Sequence, residues 1–216
     1  GLALVTGRVL PNGKEEGVPA RYAVALLTHH AVSKQDKARI EKAYLTALQN
    51  SSDTEVKAYF IDNLKIIGSD NSVRTLAGKI NEEGLTHQAI SALVSIGTPD
   101  ARTALLTEAA NAGNNHVLPR LIQALGELKM SAAVPVVTKH LTNGDAAIRK
   151  HALWSLALIA EESSYSTLLQ EARKVQFKND PAEATHALVE YIHQLSEKGN
   201  KELMVKASQE ILSNTL

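Results

Sequence analysis

Asp145-Ala146-Ala147-Ile148-Arg149-Lys150-His151-Ala152-Leu153-Trp154-Ser155-Leu156-Ala157-Leu158-Ile159 is the stretch that decides the fold. A short acidic side chain opens it, where it can accept from the orphan N–H groups of a helix start. Ile148, Ala152, Leu156 and Ile159 then follow at spacings of three and four, which sets them on one face of a helix.

The same pattern recurs along the chain. One copy reads Asp53, Val56, Lys57, Phe60, Leu64, Ile67, closed by Gly68; another reads Glu82, Leu85, Thr86, Ala89, Leu93, Ile96, closed by Gly97. A third is Asn114, Val117, Leu118, Leu121, Leu125, Leu128. A looser one is Pro181, Ala184, Thr185, Leu188, Ile192, Leu195, and a degenerate one lies near Ala23, Leu27 and His30. The markers Ile67, Ile96, Leu128, Ile159 and Leu195 are separated by 29, 32, 31 and 36 residues. A period near 30 holds two short helices and two turns, and is too short for a strand–helix–strand unit with comfortable loops.

The expected architecture is therefore all-α: a right-handed α-α superhelix, or solenoid, of about six helix pairs. The pairs are 19–31 with 34–48, 53–67 with 70–80, 85–96 with 99–110, 116–128 with 131–142, 145–160 with 162–175, and 181–196 with 200–213. Ser52 with Glu55 reads as a capping box, and Thr98-Pro99 and Asp180-Pro181 as cap-plus-proline starts. Ser131 and Asp145 are further caps, and Gly68, Gly97 and Gly144 are stops. Pro135 falls in a first turn, whereas Pro119 predicts a kink or a helix start moved to His116. Leu64, Leu93, Leu125, Leu156 and Ile192 are the expected central ladder. Residues 1–18, with Pro11, Gly13 and Gly17, read as an irregular N-terminal arm or linker in which Leu4 to Leu10 could form a short strand; residues 19–216 are the repeat domain.

Composition narrows the function. The 23 basic and 23 acidic residues leave no formal net charge, which argues against a role that neutralises phosphates. There is no cysteine, so disulfides, thiolate catalysis and cysteine-based metal sites are excluded. No apolar run approaches the roughly 20 residues of a membrane helix. Aromatics are 4% of the chain, so the core must be aliphatic. The compartment stays open. The start at Gly1-Leu2-Ala3, without methionine, is what a trimmed or processed module of a longer chain would show.

The segment Asp145 to Ile159, with Ala133-Val134-Pro135-Val136 opening a second helix, resembles the HEAT repeat family and its short bacterial, phycobilisome-lyase-type variant. The resemblance covers about residues 19 to 213. It implies second helices on a concave side, Arg149 as a structural arginine bonded to neighbouring repeats, and a scaffold or protein-binding role. Iron-dependent hydroxylases of similar fold use His-Glu dipeptides, and this chain has none. DNA-glycosylase-type relatives use a basic, aromatic-lined face, which the charge balance disfavours.

Several residues invite a functional reading. Trp154 is the sole tryptophan, and the matching positions of the other copies are Asp62, Ser91, Gln123 and Glu190, all polar. It either anchors a partner or folds over a groove between repeats. Tyr59 and His151 share another position. His186, Glu190 and His193 line one polar helix face and could hold zinc, although three ligands on one straight helix seldom converge on an ion. His29 and His30 suit a helix C-terminus. Arg74, Arg102, Lys139, Lys174 and Lys206 would form any nucleic-acid stripe, but they share no common offset.

The reading that follows is a non-catalytic interaction module. It would use no metal or cofactor and would contact a protein or peptide partner through Tyr59, His151 and Trp154. The alternatives are a nucleic-acid-binding or glycosylase-type protein, and a metal-dependent or appended domain of a secreted hydrolase.

Overall fold

A computed structural model describes residues 1–113 and 116–215, and among them it contains helices and turns but no strand. The chain divides into two compact units, residues 1–105 and 106–216. Asn114, the expected start of one repeat, lies outside the described residues.

The first unit holds α1 (Leu2–Thr6), α2 (Val18–His30), α3 (Lys34–Asn50), α4 (Thr54–Ile67), α5 (Asp70–Ala77) and α6 (Thr86–Ile96). The division falls within α7 (Pro99–Asn111). The second unit holds α8 (Leu118–Glu127), α9 (Val134–Thr138), α10 (Ala146–Ile159), α11 (Tyr165–Lys174), α12 (Ala184–Glu197) and α13 (Lys201–Thr215). In each unit the first helices of successive repeats lie side by side: α4 packs on both α2 and α6, and α10 on both α8 and α12. This is solenoid stacking, in which each repeat closes its core against its neighbours.

Residues 1–18 differ from the expected arm. Leu2 to Thr6 form α1, which docks on α2 and α3, and no strand forms at Leu4 to Leu10. Five residues are too few to display a helical period, and a helix that short is held by tertiary packing rather than propensity.

The starts and stops are mostly where the sequence puts them. Asp145 accepts from the Ala147 N–H at 2.8 Å, and the Thr98 hydroxyl accepts from Ala101 at 3.4 Å. Gly97 ends α6 in the left-handed region, at φ 60°, where a side chain would be strained. The Ser52–Glu55 capping box does not form. Asp53 takes the role, accepting from Val56 at 2.9 Å, while Glu55 reaches the Asn12 N–H at 2.8 Å and Arg21 at 3.3 Å. Asp180 accepts from Ala182 and Ala184, but Glu183 is left-handed, so α12 begins three residues after Pro181. Ser131 caps nothing: it opens a 3₁₀ turn, and its hydroxyl donates to Glu161 at 2.6 Å. Pro119 moves its helix start to Leu118 rather than kinking it, because proline sits without cost in the first turn.

Leu64, Leu93, Leu125 and Leu156 are fully buried, as the ladder requires. Ile192 is only half-buried, which corrects its place in that ladder. In α12 the core is made by Leu188, Tyr191 and Leu195 instead. Tyr191 stands where the other copies carry Asn63, Ala92, Ala124 and Ser155, so its ring fills space that smaller residues leave elsewhere. Helices α8 and α10 pack closely. There Ser155 donates to the Ile122 carbonyl at 2.8 Å, and a Cβ on Gly126 would lie 2.8 Å from the Ser155 Cα.

Two buried polar networks fix the first unit. Thr28 donates to Asn63 Oδ1 at 2.7 Å and lies 2.9 Å from the Tyr44 hydroxyl, which donates to the Val24 carbonyl. Glu41 is almost fully buried and accepts from the Ser69 N–H at 2.7 Å and the Ser72 hydroxyl at 2.6 Å. Its carboxylate thus caps α5, where the helix dipole favours negative charge.

Leu156→Ala should destabilise the second unit by about 2–5 kcal/mol, the usual cost of a buried aliphatic deletion. Gly126→Val should destabilise it as well, because overpacking costs about 1–3 kcal/mol and exceeds the few tenths gained in helix propensity. Urea unfolding followed by circular dichroism measures both; an unchanged midpoint in either variant contradicts the packing described.

Candidate interaction surface

Trp154 lies nine residues past Asp145 on α10, between the buried Leu153 and Ser155, and 38% of its surface is exposed. One turn earlier on the same helix are Lys150 and His151. His151 is half-buried, and its pKa is pushed below the ordinary histidine value by burial first, then by the charges of Lys150 and Arg120. Lys150 reaches across to Glu183 at the foot of α12, at 2.5 Å. The result is an exposed indole on a helix face that also carries cationic side chains.

Tyr59 does not join this surface. It belongs to the first unit, half-buried, with its hydroxyl donating to the Arg21 carbonyl at 2.6 Å. The Arg21 guanidinium stacks over its ring at 4.5 Å, and that guanidinium also donates to the Leu10 carbonyl. The shared repeat position of Tyr59 and His151 therefore serves a local clasp in one unit and a helix face in the other.

The remaining candidates have local roles. Glu190 accepts from the Gln194 amide at 2.8 Å, and His186 and His193 are exposed. Among the described residues no three His, Cys, Asp or Glu side chains are grouped so as to hold a metal ion. Arg149 donates to the Asn143 and Gly144 carbonyls at 2.6 and 3.0 Å. It is structural, but it secures the turn before its own helix rather than a neighbouring repeat. Of the basic residues proposed as a stripe, Lys174 pairs with Glu171 at 2.5 Å and Lys206 lies 5.5 Å from the Tyr165 ring centre. Arg102 donates to the Gly97 carbonyl at 2.9 Å.

Ion pairs between repeats were not visible in the sequence pattern. Glu82, at the start of one copy, accepts from Lys57 of the copy before and from Lys79, each at 2.6 Å. These two cations hold its carboxyl below the usual glutamate range. Lys57 and Lys79 are ordinary surface residues by sequence, and only the stacking brings them to one carboxylate.

Residues 103–189 match the family of HEAT repeats. No curated protein matches the chain.

The histidine geometry has a pH consequence. A pKa depressed in the folded state means that the unfolded chain takes up its proton first. The contribution of neutral His151 is complete above the unfolded value, about 6.5, and is lost as pH falls through the lower folded value. His140, also depressed by burial and Lys139, acts in the same direction. NMR titration should place the His151 imidazole below 6.5, and His151→Gln should flatten the stability–pH slope in that window. A His151 resonance titrating at or above the free-histidine value contradicts the burial.

Proposed function

We propose, from the premise that this chain carries HEAT repeats, that it is a non-catalytic module that binds a protein or peptide partner. The contact is centred on Trp154 and His151. HEAT repeats are generally non-catalytic and commonly mediate protein interactions, which supports the broad reading. The observation that carries the specific one is the position of Trp154. A large aromatic is kept 38% exposed at a repeat position where four other copies carry Asp62, Ser91, Gln123 and Glu190.

Tryptophan offers a large apolar face and one N–H donor with little conformational entropy to lose, so it recurs at interface centres. The neighbouring Arg120 raises the local positive potential, whereas Lys150 is paired with Glu183, and an acidic segment would be steered towards the arginine. The helices that hold these side chains are packed before any partner arrives, so little ordering cost attends binding. Tyr59 is left to its clasp with Arg21 and has no part in this proposal.

Quantitative capture from extracts of cells that make the protein tests the proposal, comparing the wild type with Trp154→Ala. Loss of an anchor of this kind should weaken the partner at least about tenfold, or ~1.4 kcal/mol, with the fold intact by circular dichroism. Trp154 is also the sole tryptophan, so the partner should shield its fluorescence from iodide. Unchanged capture and unchanged quenching would rule the surface out.

A further inference from the structure

Ser33 caps α3, accepting from the Asp36 N–H at 3.0 Å, and Lys34 and Lys37 lie in the turn that follows. Positive charge there opposes the helix dipole, so these lysines do nothing for the helix they open. Arg39 and Lys42 continue the run, and all four residues are exposed. The chain as a whole is neutral, yet residues 34–42 hold four of its 23 cations. Elsewhere cations are matched: Lys57 and Lys79 meet Glu82, Lys150 meets Glu183, and Arg173 meets Glu210. Among the described residues no carboxylate pairs with Lys34, Lys37, Arg39 or Lys42. The two acids of α3 are engaged otherwise. Glu41 is buried beneath Ser69 and Ser72, and Asp36 accepts from the Ser33 hydroxyl at 2.6 Å.

The apex of the α2–α3 hairpin is apolar. Val32, just before the cap, is 90% exposed. His29 and His30 end α2 beside it, also exposed. Leu26, one turn earlier and 41% exposed, shares a groove beside α2 with His30, Asp36 and Arg39. Aliphatic and cationic side chains are thus held together at one end of the hairpin, and neither kind serves its packing.

We propose that this hairpin tip docks on an anionic phospholipid bilayer, with Val32 entering the headgroup boundary and Lys34, Lys37 and Arg39 meeting lipid phosphates and carboxylates. A bilayer uses both chemistries at once, cations at the headgroups and aliphatic groups just beneath them. A nucleic acid would use the cations but would call for aromatic stacking platforms, and Val32 and Leu26 offer none. The contact is peripheral, because no described helix is long and apolar enough to cross a membrane. The tip belongs to the first unit and is independent of the Trp154 surface.

Cosedimentation of the whole chain with phosphatidylcholine vesicles containing about 30% phosphatidylserine tests this. The chain should pellet with them, and not with pure phosphatidylcholine, and should release as salt rises from about 50 to about 300 mM. A basic residue near such a surface contributes about fivefold in partitioning, so Lys34→Gln with Lys37→Gln should weaken binding at least tenfold. Both positions are exposed, and circular dichroism checks that the double variant is folded. Lys201→Gln, at an exposed lysine of the second unit, and Trp154→Ala should bind as the wild type does. The chain has no cysteine, so Val32→Cys takes a single environment-sensitive dye, whose emission should shift to the blue on the anionic vesicles. No pelleting with those vesicles, equal pelleting with neutral ones, equal binding by the double variant, or an unshifted dye would each overturn the proposal. So would a DNA duplex that binds more tightly than the vesicles and loses its hold in the same double variant, since the cations would then belong to a nucleic-acid site.

Discussion

Stacking of first helix on first helix is the interaction on which the rest of this structure depends. Helix α10 carries apolar residues on more than one side, and its own second helix covers only part of them. Leu153, Leu156 and Ala157 are buried because α8 and α12 lie against α10 on either side. The contact is close enough at one point that Gly126 has no room for a side chain beside Ser155. A lone pair of helices this size could not offset its conformational entropy; a row of them can, because each neighbour removes another strip of aliphatic surface from water.

That arrangement also divides the labour among residues. Small or polar-capable side chains sit where backbones approach, as with Ser155 and Asn63, and each satisfies a group of the repeat before. Charged pairs such as Lys57 with Glu82 and Lys150 with Glu183 join consecutive repeats at their edges. The half-buried Lys57–Glu82 pair and the exposed Lys150–Glu183 pair help to set the register, although the exposed one contributes little energy. The faces that stacking leaves uncovered are rigid and preformed, and function has to be sought there. In the second unit such a face carries Trp154; in the first it is the tip of the α2–α3 hairpin.

The helical repeat was legible because its period is long, its apolar stripe is regular, and caps such as Asp145 and Gly97 follow local rules. For Trp154 the four polar matching positions pointed towards exposure, but whether its indole anchors a partner or folds over a groove between repeats was open in the sequence. What could not be read depends on neighbours. Helix α1 is too short to carry a pattern and exists by docking. Asp53 rather than Ser52 caps α4, because Glu55 is drawn to Arg21 and the Asn12 backbone. Ile192 matches the stripe, yet Tyr191 fills the core beside it. Tyr59 reads as a surface aromatic by sequence, but Arg21 lies over its ring. The groove beside α2 was not legible, because its residues resemble those of any buried helix face.

Residue-level hydrogen exchange tests the stacking account most directly. Protection arising between neighbours should peak in α4 and α10, each flanked by two first helices, and decline towards α1 and α13. Amides of α1 or α13 protected as strongly as those of α10 would mean a single shared core rather than a row of contacts, and would contradict the account.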